Sequence, residues 1–282
     1  MATDVLVLCA TGKQGSSVCE ALVSDIRFIV HGLTRKTTTK AARKIEDMGV
    51  HLVEGEANSK KSIEAALKAT SAKYMFLVTL MSTREAECAA GKAAIDAAAN
   101  CGVEFIVYAS VADADNCHEN VSHFKAKLDV ENYLKSSPIN HGILRPVAFL
   151  DIYDDPSIYN PLTRGSIKGL FRSDLKVKHV ACRDIGKAAA CLFQDPSRFN
   201  LRTIVCVSCD VSGDELAKAL TSSSGEPCKY SVADEGQMSV MITELGQMIS
   251  YFEEKGGYSC TDEDMAEFKK VSETQFIRCT YF

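Results

Sequence analysis

The segment Cys9–Gly15, with the sequence CATGKQG, has the residue types and spacing that suit a phosphate-binding turn. Gly12 allows the backbone to approach a pyrophosphate closely, and Gly15 allows a helix to pack closely on the preceding strand. The apolar run Val5–Leu8 precedes the turn and a helical pattern follows it, so the first N–H groups of that helix point at a bound anion. Two glycines alone could occur in an ordinary turn, but the strand before them and the helix after them favour a dinucleotide site.

The end of the second predicted strand, Leu33–Lys36, carries the residues that choose between two dinucleotides. An acidic side chain here would hydrogen-bond to the ribose 2′-hydroxyl of NAD, whereas a basic one accommodates the 2′-phosphate of NADP. The strand ends without an acid. Arg35 offers a planar pair of donors to a phosphate, and Lys36 and Lys40 add positive charge. We therefore predict NADP(H) rather than NAD; the alternative is a basic loop that is only solvated.

These residues require a sheet that brings the ends of several strands together. Apolar runs typical of buried strands alternate with helical patterns over the first 150 residues. The predicted strands span 5–8, 28–34, 50–53, 75–78, 105–108 and 142–144, and the predicted helices after the first span 38–48, 59–67, 84–100 and 123–134. This alternation predicts right-handed βαβ crossovers and an α/β fold, a doubly wound parallel sheet of the Rossmann type.

The alternation stops after Pro146. We predict that residues 1–150 form the NAD(P)-binding Rossmann domain and residues 151–282 a smaller, mostly helical lobe at the strand ends, where ligands bind in such sheets. Residues 151–169 resemble a loop, and Thr261 with Asp264 predicts a capped helix over 261–271. A helix over 183–193 and a strand over 204–207 indicate that the segment around 184–210 returns to the Rossmann sheet.

The composition is that of an ordinary soluble globular protein, with 282 residues, 46% hydrophobic, 24% charged and a formal net charge of −5. Weak acidity argues against direct nucleic-acid binding and membrane-surface binding, both of which need a basic face. The apolar runs are too short for a transmembrane helix, and the first residues lack the features of a secretory signal. These features predict a cytoplasmic protein that could also enter the nucleus.

The chain has 12 cysteines, most of them in apolar segments, where free thiols behave as small hydrophobic groups. Disulfide-rich proteins are usually short and secreted, unlike this chain. The C-x-x-C segment Cys206–Cys209 would place its thiols on opposite faces of one strand. We therefore expect neither a metal site nor a disulfide framework, and we expect a reducing compartment.

Motifs along nearly the whole chain resemble those of the NmrA-like family of atypical short-chain dehydrogenase/reductases. They are ATGKQGSSV at 10–18, LTRK at 33–36, VEGE at 53–56, FLVT at 76–79, GKAAIDAA at 91–98, FIVYAS at 105–110, HFKAKLDVENYL at 123–134, ILRP at 143–146, DIG at 184–186 and TDEDMAEF at 261–268. Each motif alone is modest, but their order and spacing together are specific.

The resemblance implies an NADP(H) site and assigns residues to it. The phosphate contacts fall on Ala10, Thr11, Gly12, Lys13, Gln14 and Gly15, the 2′-phosphate contacts on Arg35 and Lys36, the adenine-side contacts on Glu56 and Ala57, and the nicotinamide-side contacts on Thr79, Lys127, Val147 and Phe149. Relatives carry an aspartate near Glu56, and a glycine where this chain has Cys9. A cysteine is expected to fit the turn only with a negative φ.

Relatives that transfer a hydride pair a tyrosine with a lysine four residues later on one helix, and the phenol exchanges the proton. This chain keeps Lys127, expected to position the cofactor, but has His123 in place of the tyrosine. His123 could act as an acid near neutral pH, or it could be a packing residue, which we favour. Ser110 either contacts a substrate or caps the strand end.

The resemblance and the missing tyrosine together predict a redox sensor that binds NADP(H) and regulates partner proteins in signalling or transcription, with little or no dehydrogenase activity. The alternative is an NADPH-dependent reductase of quinones or similar small electrophiles, with a flat apolar pocket formed by Met81, Phe149 and Tyr153. A third hypothesis, a structural protein with a vestigial cofactor site, depends on Cys9 and Glu56–Ala57. A homodimer is the default oligomeric state.

Overall fold

The computed structural model describes residues 2–153, 165–232 and 242–273. Its strands are β1 (Thr3–Val7), β2 (Phe28–Thr34), β3 (His51–Glu54), β4 (Tyr74–Val78), β5 (Phe105–Ala109), β6 (Asn140–Pro146), β7 (Ala148–Phe149), β8 (Ser166–Gly169), β9 (Lys176–Val180), β10 (Arg202–Cys206), β11 (Cys209–Ser212) and β12 (Lys229–Val232). Its helices are α1 (Lys13–Val23), α2 (Lys40–Glu46), α3 (Lys60–Thr70), α4 (Arg84–Asn100), α5 (Ser122–Ser136), α6 (Cys182–Gln194), α7 (Pro196–Phe199), α8 (Gly213–Ser224), α9 (Ile242–Lys255) and α10 (Asp262–Glu273).

Seven strands form one parallel sheet in the order β10-β6-β5-β4-β1-β2-β3, which confirms the predicted doubly wound α/β fold. The strand order reverses between β1 and β4, which are neighbours. Ligands of such sheets bind in the crevice outside the carboxyl ends of the strands at this reversal. The segments that follow β1, β2, β4 and β5 therefore meet at one edge of the sheet. As predicted, a strand near residue 204 returns to the sheet, because β10 pairs with β6.

The apolar strands are buried on both faces. In and just after β1, Val5 and Val7 belong to one core layer, whereas Leu6 and Leu8 belong to the other. The first layer lies against α1 and α6, and the second lies against α3 and α4. Successive side chains of a strand point to opposite faces, so a continuous apolar run is what a sheet covered by helices on both sides requires.

Gly186 of the DIG motif explains why α1 and α6 can pack so closely. A Cβ built on Gly186 would lie 2.2 Å from the Ser17 carbonyl oxygen of α1. Any side chain there would separate the two helices, so this glycine has a packing role in the layer that supports α1. The position of α1 matters because its N-terminus faces the crevice.

The C-terminal region contains the expected helices together with small strands that the sequence patterns did not predict. One small sheet has the order β11-β9-β7, and another pairs β12 with β8. The loop expected over residues 151–169 is wrong at both ends, since a 3-10 helix covers Leu150–Ile152 and β8 covers Ser166–Gly169. Residues 154–164 of that expected loop lie outside the described residues. The predicted cap of α10 is confirmed, because the Thr261 Oγ1 accepts from the Asp264 N–H at 3.2 Å.

The cysteines in the described part of the chain are free thiols. Cys206 ends β10 in the large sheet and Cys209 begins β11 in a small one, so the expectation that they share a strand is wrong. The described residues contain no cluster of histidine, cysteine and acidic side chains able to hold a metal ion. Within the same residues, every helix is too short or too polar to cross a bilayer.

Candidate functional site

The turn after β1 is held by backbone hydrogen bonds. The Gly12 N–H donates to the Cys9 carbonyl oxygen at 2.9 Å, and the Ala10 N–H donates to the Leu33 carbonyl oxygen of β2 at 3.1 Å. A Cβ built on Gly15 would lie only 2.3 Å from that Cys9 oxygen. This confirms the packing role predicted for Gly15, because a side chain there would push α1 away from β1.

Cys9 adopts a left-handed backbone conformation with φ +51°, so the expected negative φ is wrong. A side chain in this region costs about 1–2 kcal/mol because its Cβ crowds the backbone. Burial raises the pKa of the Cys9 thiol, while the positive charges of Arg35 and Lys127 oppose that rise. The thiol therefore lies within electrostatic range of both cations, between the two ends of the predicted cofactor groove.

The N-terminus of α1 suits an anion. Gly12 is the N-cap residue, no side chain caps the helix, and the first turn has no acidic residue. Its first N–H groups therefore present positive partial charge to the crevice. The Lys13 ammonium donates to the Asp151 carbonyl oxygen at 3.2 Å, which ties the segment after β7 to this turn. The buried Gln14 Oε1 has no hydrogen-bond partner among the described residues, so a ligand hydroxyl or N–H could satisfy it.

The residues predicted to contact the adenosine half follow β2 and β3. Arg35 and Lys36 are exposed directly after β2. Glu56 is also exposed, and its N–H donates to the Ser62 Oγ at 2.8 Å, which fixes the loop before α3. Ala57 is half-buried against the second core layer. Arg35 and Lys36 thus offer positive charge at the predicted 2′-phosphate position.

Thr79 and Lys127, both predicted for the nicotinamide side, are in direct contact. The Lys127 Nζ donates to the Thr79 Oγ1 at 3.0 Å and to the Glu87 Oε1 at 2.8 Å, and the Thr79 hydroxyl donates to the same Glu87 oxygen at 2.6 Å. Burial raises the pKa of the neighbouring Tyr108 well above its ordinary value, and the Glu87 charge adds to this rise. The sequence did not suggest Glu87, because its place near the start of an exposed helix resembles that of an ordinary helix-start acid.

The other candidates on the catalytic side are packed into the protein. His123 is buried with its ring edge-to-face against Phe124 at 4.8 Å between centroids. The Ser110 hydroxyl donates to the Glu131 Oε1 at 2.6 Å. Both terminal nitrogens of the Arg145 fork and its Nε make hydrogen bonds to Glu131 and Asp115 at 2.8 Å. Ser110 therefore joins a buried ionic network that the sequence did not indicate.

The segment after β6 carries Val147 and Phe149, the other two residues predicted for the nicotinamide side. Val147 is buried and donates its N–H to the Cys206 carbonyl oxygen at 3.2 Å, while Phe149 is half-buried in β7. Tyr153 lies against His179, with 3.4 Å between its hydroxyl and the ring Nε2. Met81 is exposed after β4. The apolar pocket expected from Met81, Phe149 and Tyr153 stays a prediction.

Comparisons with known proteins find a family for this sequence and similar folds among solved structures. The sequence profile of the NmrA-like family matches residues 1–276. A relative from Cladobotryum sp, the NmrA-like family domain-containing oxidoreductase FrzB, is 25% identical over 258 residues, which cover 80% of this chain and 75% of the relative. The fold resembles that of Citrobacter sp. triphenylmethane reductase complexed with NADP(H), with a TM-score of 0.76, 19% identity and coverage of 96% of this chain and 99% of that one.

The fold also resembles that of NmrA, a negative transcriptional regulator, in complex with NADP. The TM-score is 0.73 at 17% identity, over 97% of this chain and 94% of that one. Since the family profile spans nearly the whole sequence, the chain belongs to the NmrA-like family.

Proposed function

We propose that this chain binds NADP(H) in the crevice where the strand order reverses. The observation that carries the proposal is the set of donors there: the uncapped N-terminus of α1, the exposed Arg35 after β2 and the Lys127 ammonium of α5, which contacts Thr79 after β4. These groups match the pyrophosphate, 2′-phosphate and ribose hydroxyls of one extended dinucleotide. The residues that would hold it are Ala10, Thr11, Gly12, Lys13, Gln14, Gly15, Arg35, Lys36, Glu56, Ala57, Thr79, Lys127, Val147 and Phe149.

The bound dinucleotide would serve chiefly as a signal rather than as a hydride donor. His123 occupies the position of the usual catalytic tyrosine and is packed against Phe124. Tyr133, the tyrosine nearest to Lys127 along α5, donates its hydroxyl to Asp96 at 2.7 Å instead. A redox sensor acts by binding its cofactor differently in two states that partner proteins distinguish. Protein partners in signalling or transcription, a homodimer and a cytoplasmic or nuclear location belong to this proposal.

A second candidate, an NADPH-dependent reductase of quinones or similar small electrophiles, has its own support. Leu80 and Met81 expose apolar side chains in the loop that follows β4, beside the proposed nicotinamide position. Large exposed apolar side chains at a groove suit a flat apolar substrate. The relative FrzB is named an oxidoreductase, and the structurally similar Citrobacter protein is a reductase.

Cofactor binding is tested by titrating NADPH and NADH by fluorescence or calorimetry. We expect NADPH to bind the unchanged chain. We expect Arg35→Ala to lower the affinity for NADPH by about 10- to 100-fold, because charge-assisted hydrogen bonds to a phosphate are lost. NADH, which has no 2′-phosphate, should bind both proteins alike. Lys44→Ala removes a charge from the exposed face of nearby α2 and should change neither affinity. No binding of NADPH at millimolar concentration would refute the proposal.

The two candidate roles are then separated by NADPH oxidation with a panel of quinones. The sensor predicts negligible turnover together with a protease digestion pattern that changes when NADPH is added. Turnover that is abolished by Lys127→Ala would favour the reductase instead.

A further inference from the structure

Glu87 is buried where its neighbours along the helix are exposed. Glu87 lies in the first turn of α4 and is only 1% exposed, whereas its neighbours Glu85 and Ala86 are exposed. Acidic residues in a first helical turn normally stay in water, where they interact with the helix dipole. Burying a carboxylate is costly unless a cation and hydrogen bonds compensate it. Glu87 therefore needs a partner in the interior, and that partner is Lys127.

The hydrogen bonds around Glu87 account for the Thr79 hydroxyl and for two N–H groups of Lys127. The Thr79 hydroxyl gives its single hydrogen to the Glu87 Oε1, so toward any ligand Thr79 can only accept. The Lys127 ammonium gives one N–H to Thr79 and one to Glu87. Among the residues that the structure describes, these bonds use two of its three donors, and one N–H remains for a ligand. Two fixed bonds determine the direction of the third.

The charges of Glu87 and Lys127 also link these two residues. The Glu87 side chain is fully buried and the Lys127 side chain is 17% exposed, so the carboxylate sits behind the ammonium, away from the crevice. The second carboxylate oxygen, Oε2, has no hydrogen-bond partner within the described part of the chain. The negative charge of Glu87 is therefore balanced by the Lys127 ammonium and stabilised by the hydrogen bond from Thr79.

We propose that Glu87 is the positioning residue of the nicotinamide half of the site: it holds Lys127 so that the remaining N–H faces the nicotinamide ribose, and its buried charge balances the ammonium there. This inference rests on the proposed NADP(H) site. Glu87 touches no ligand itself and acts through Lys127. Without its charge, the uncompensated ammonium would also repel the oxidised nicotinamide ring, which is cationic, more than the neutral reduced ring.

The test is a double-mutant cycle read by NADPH and NADP⁺ affinity. Glu87→Gln keeps the shape of the side chain and removes its charge. We expect it to weaken the binding of NADPH about tenfold and the binding of NADP⁺ by more. In a Lys127→Met background the same change should leave both affinities unaltered, because the residue that Glu87 positions is absent. Glu85→Gln, two residues away on the exposed face, is the matched control and should bind as the unchanged chain does. Thermal unfolding of each variant reports whether it is folded.

The outcomes are distinct. The inference is overturned if Glu87→Gln binds both nucleotides like the unchanged chain. It is also overturned if Glu87→Gln lowers both affinities as much in the Lys127→Met background as in the unchanged chain. In either case Glu87 has only a structural role, and the proposed NADP(H) site is unaffected. If the unchanged chain binds no NADPH, the proposed function fails and the inference fails with it. The double variant Glu87→Gln, Lys127→Met buries two neutral side chains. It therefore provides a folded reference even if Glu87→Gln or Lys127→Met alone unfolds.

Discussion

At the scale of single residues, Cys9 has a backbone conformation that carries an energetic cost. Its φ of +51° is a conformation that glycine adopts without strain and cysteine does not. Its thiol also lies within electrostatic range of Arg35 and Lys127, two of the cations proposed to bind the dinucleotide. A glycine at this position would relieve the backbone and remove the side chain from the path of the dinucleotide.

We therefore expect Cys9→Gly to bind NADPH several-fold more tightly than the unchanged chain. Relief of the left-handed backbone contributes about 1 kcal/mol to the free energy of unfolding, partly offset by the lost burial of the thiol. Ser71→Gly is a matched control, because Ser71 also has a positive φ of 54° but ends α3, at the opposite end of β4 from the groove. It should gain stability without a change in NADPH affinity. Weaker NADPH binding by Cys9→Gly, measured by calorimetry, would contradict this account.

At the scale of elements, one buried ion pair fastens α5 to the end of β6. Two Arg145 nitrogens bind the two oxygens of Glu131, whose side chain is fully buried. Removing the guanidinium leaves the buried carboxylate with only the partly exposed Lys135 ammonium and the Ser110 hydroxyl, so Arg145→Met should lower the free energy of unfolding by about 3 kcal/mol. Arg84→Met breaks a pair with the partly exposed Asp129 and should cost less than about 1 kcal/mol. Urea denaturation measures the free energy of unfolding of both variants. Equal losses would show that burial of the ion pair does not determine its contribution to stability.

The same pair predicts how the loss depends on pH. Burial alone would raise the pKa of Glu131, but the Arg145 guanidinium outweighs it and holds that pKa below its ordinary value. A lowered folded-state pKa stabilises the fold above the unfolded value of about 4.3, and this contribution is lost as the pH falls through the folded-state pKa. Without Arg145, the effect of burial on the pKa of Glu131 dominates, and the variant's loss in free energy of unfolding is greatest at neutral pH, where Glu131 is charged. The stability difference should therefore shrink from pH 7 to pH 4.

The sequence predicted the elements of the sheet well because their signal is local. Buried parallel strands are continuous apolar runs, and the helix α4, predicted over 84–100, begins and ends at the predicted residues, while the other helices differ from their predicted bounds by one to three residues at their ends. The small strands β8, β9, β11 and β12 escaped prediction because they are short and partly polar. Glu87 and Glu131 escaped for another reason: their burial depends on cations distant in sequence, Lys127 and Arg145.

At the scale of the whole molecule, Asp113 joins the C-terminal helices to the cofactor edge of the sheet. It lies in the loop between β5 and α5, the helix that carries Lys127. Its buried carboxylate accepts from the Ser259 N–H at 3.0 Å, the Ser259 hydroxyl at 3.3 Å and the Tyr251 hydroxyl at 3.3 Å. Ser259 lies between α9 and α10, so one side chain connects the loop after β5 to the segment between the last two described helices.

Asp113→Asn tests whether this side chain is what holds the C-terminal loop. Asparagine has the same shape and tolerates the positive φ of 61°, but its amide presents a donor to groups that are themselves donors. We expect a loss of about 2 kcal/mol and faster amide hydrogen exchange at Ser259 and the residues around it. Exchange in α10 should change little, because α10 packs independently on α6 and β10. Glu104→Gln, which alters an exposed pair with Lys73, should leave both regions unchanged. If exchange rises equally in α10 and around Ser259, the C-terminal region opens as one unit and Asp113 is not a local fastening point.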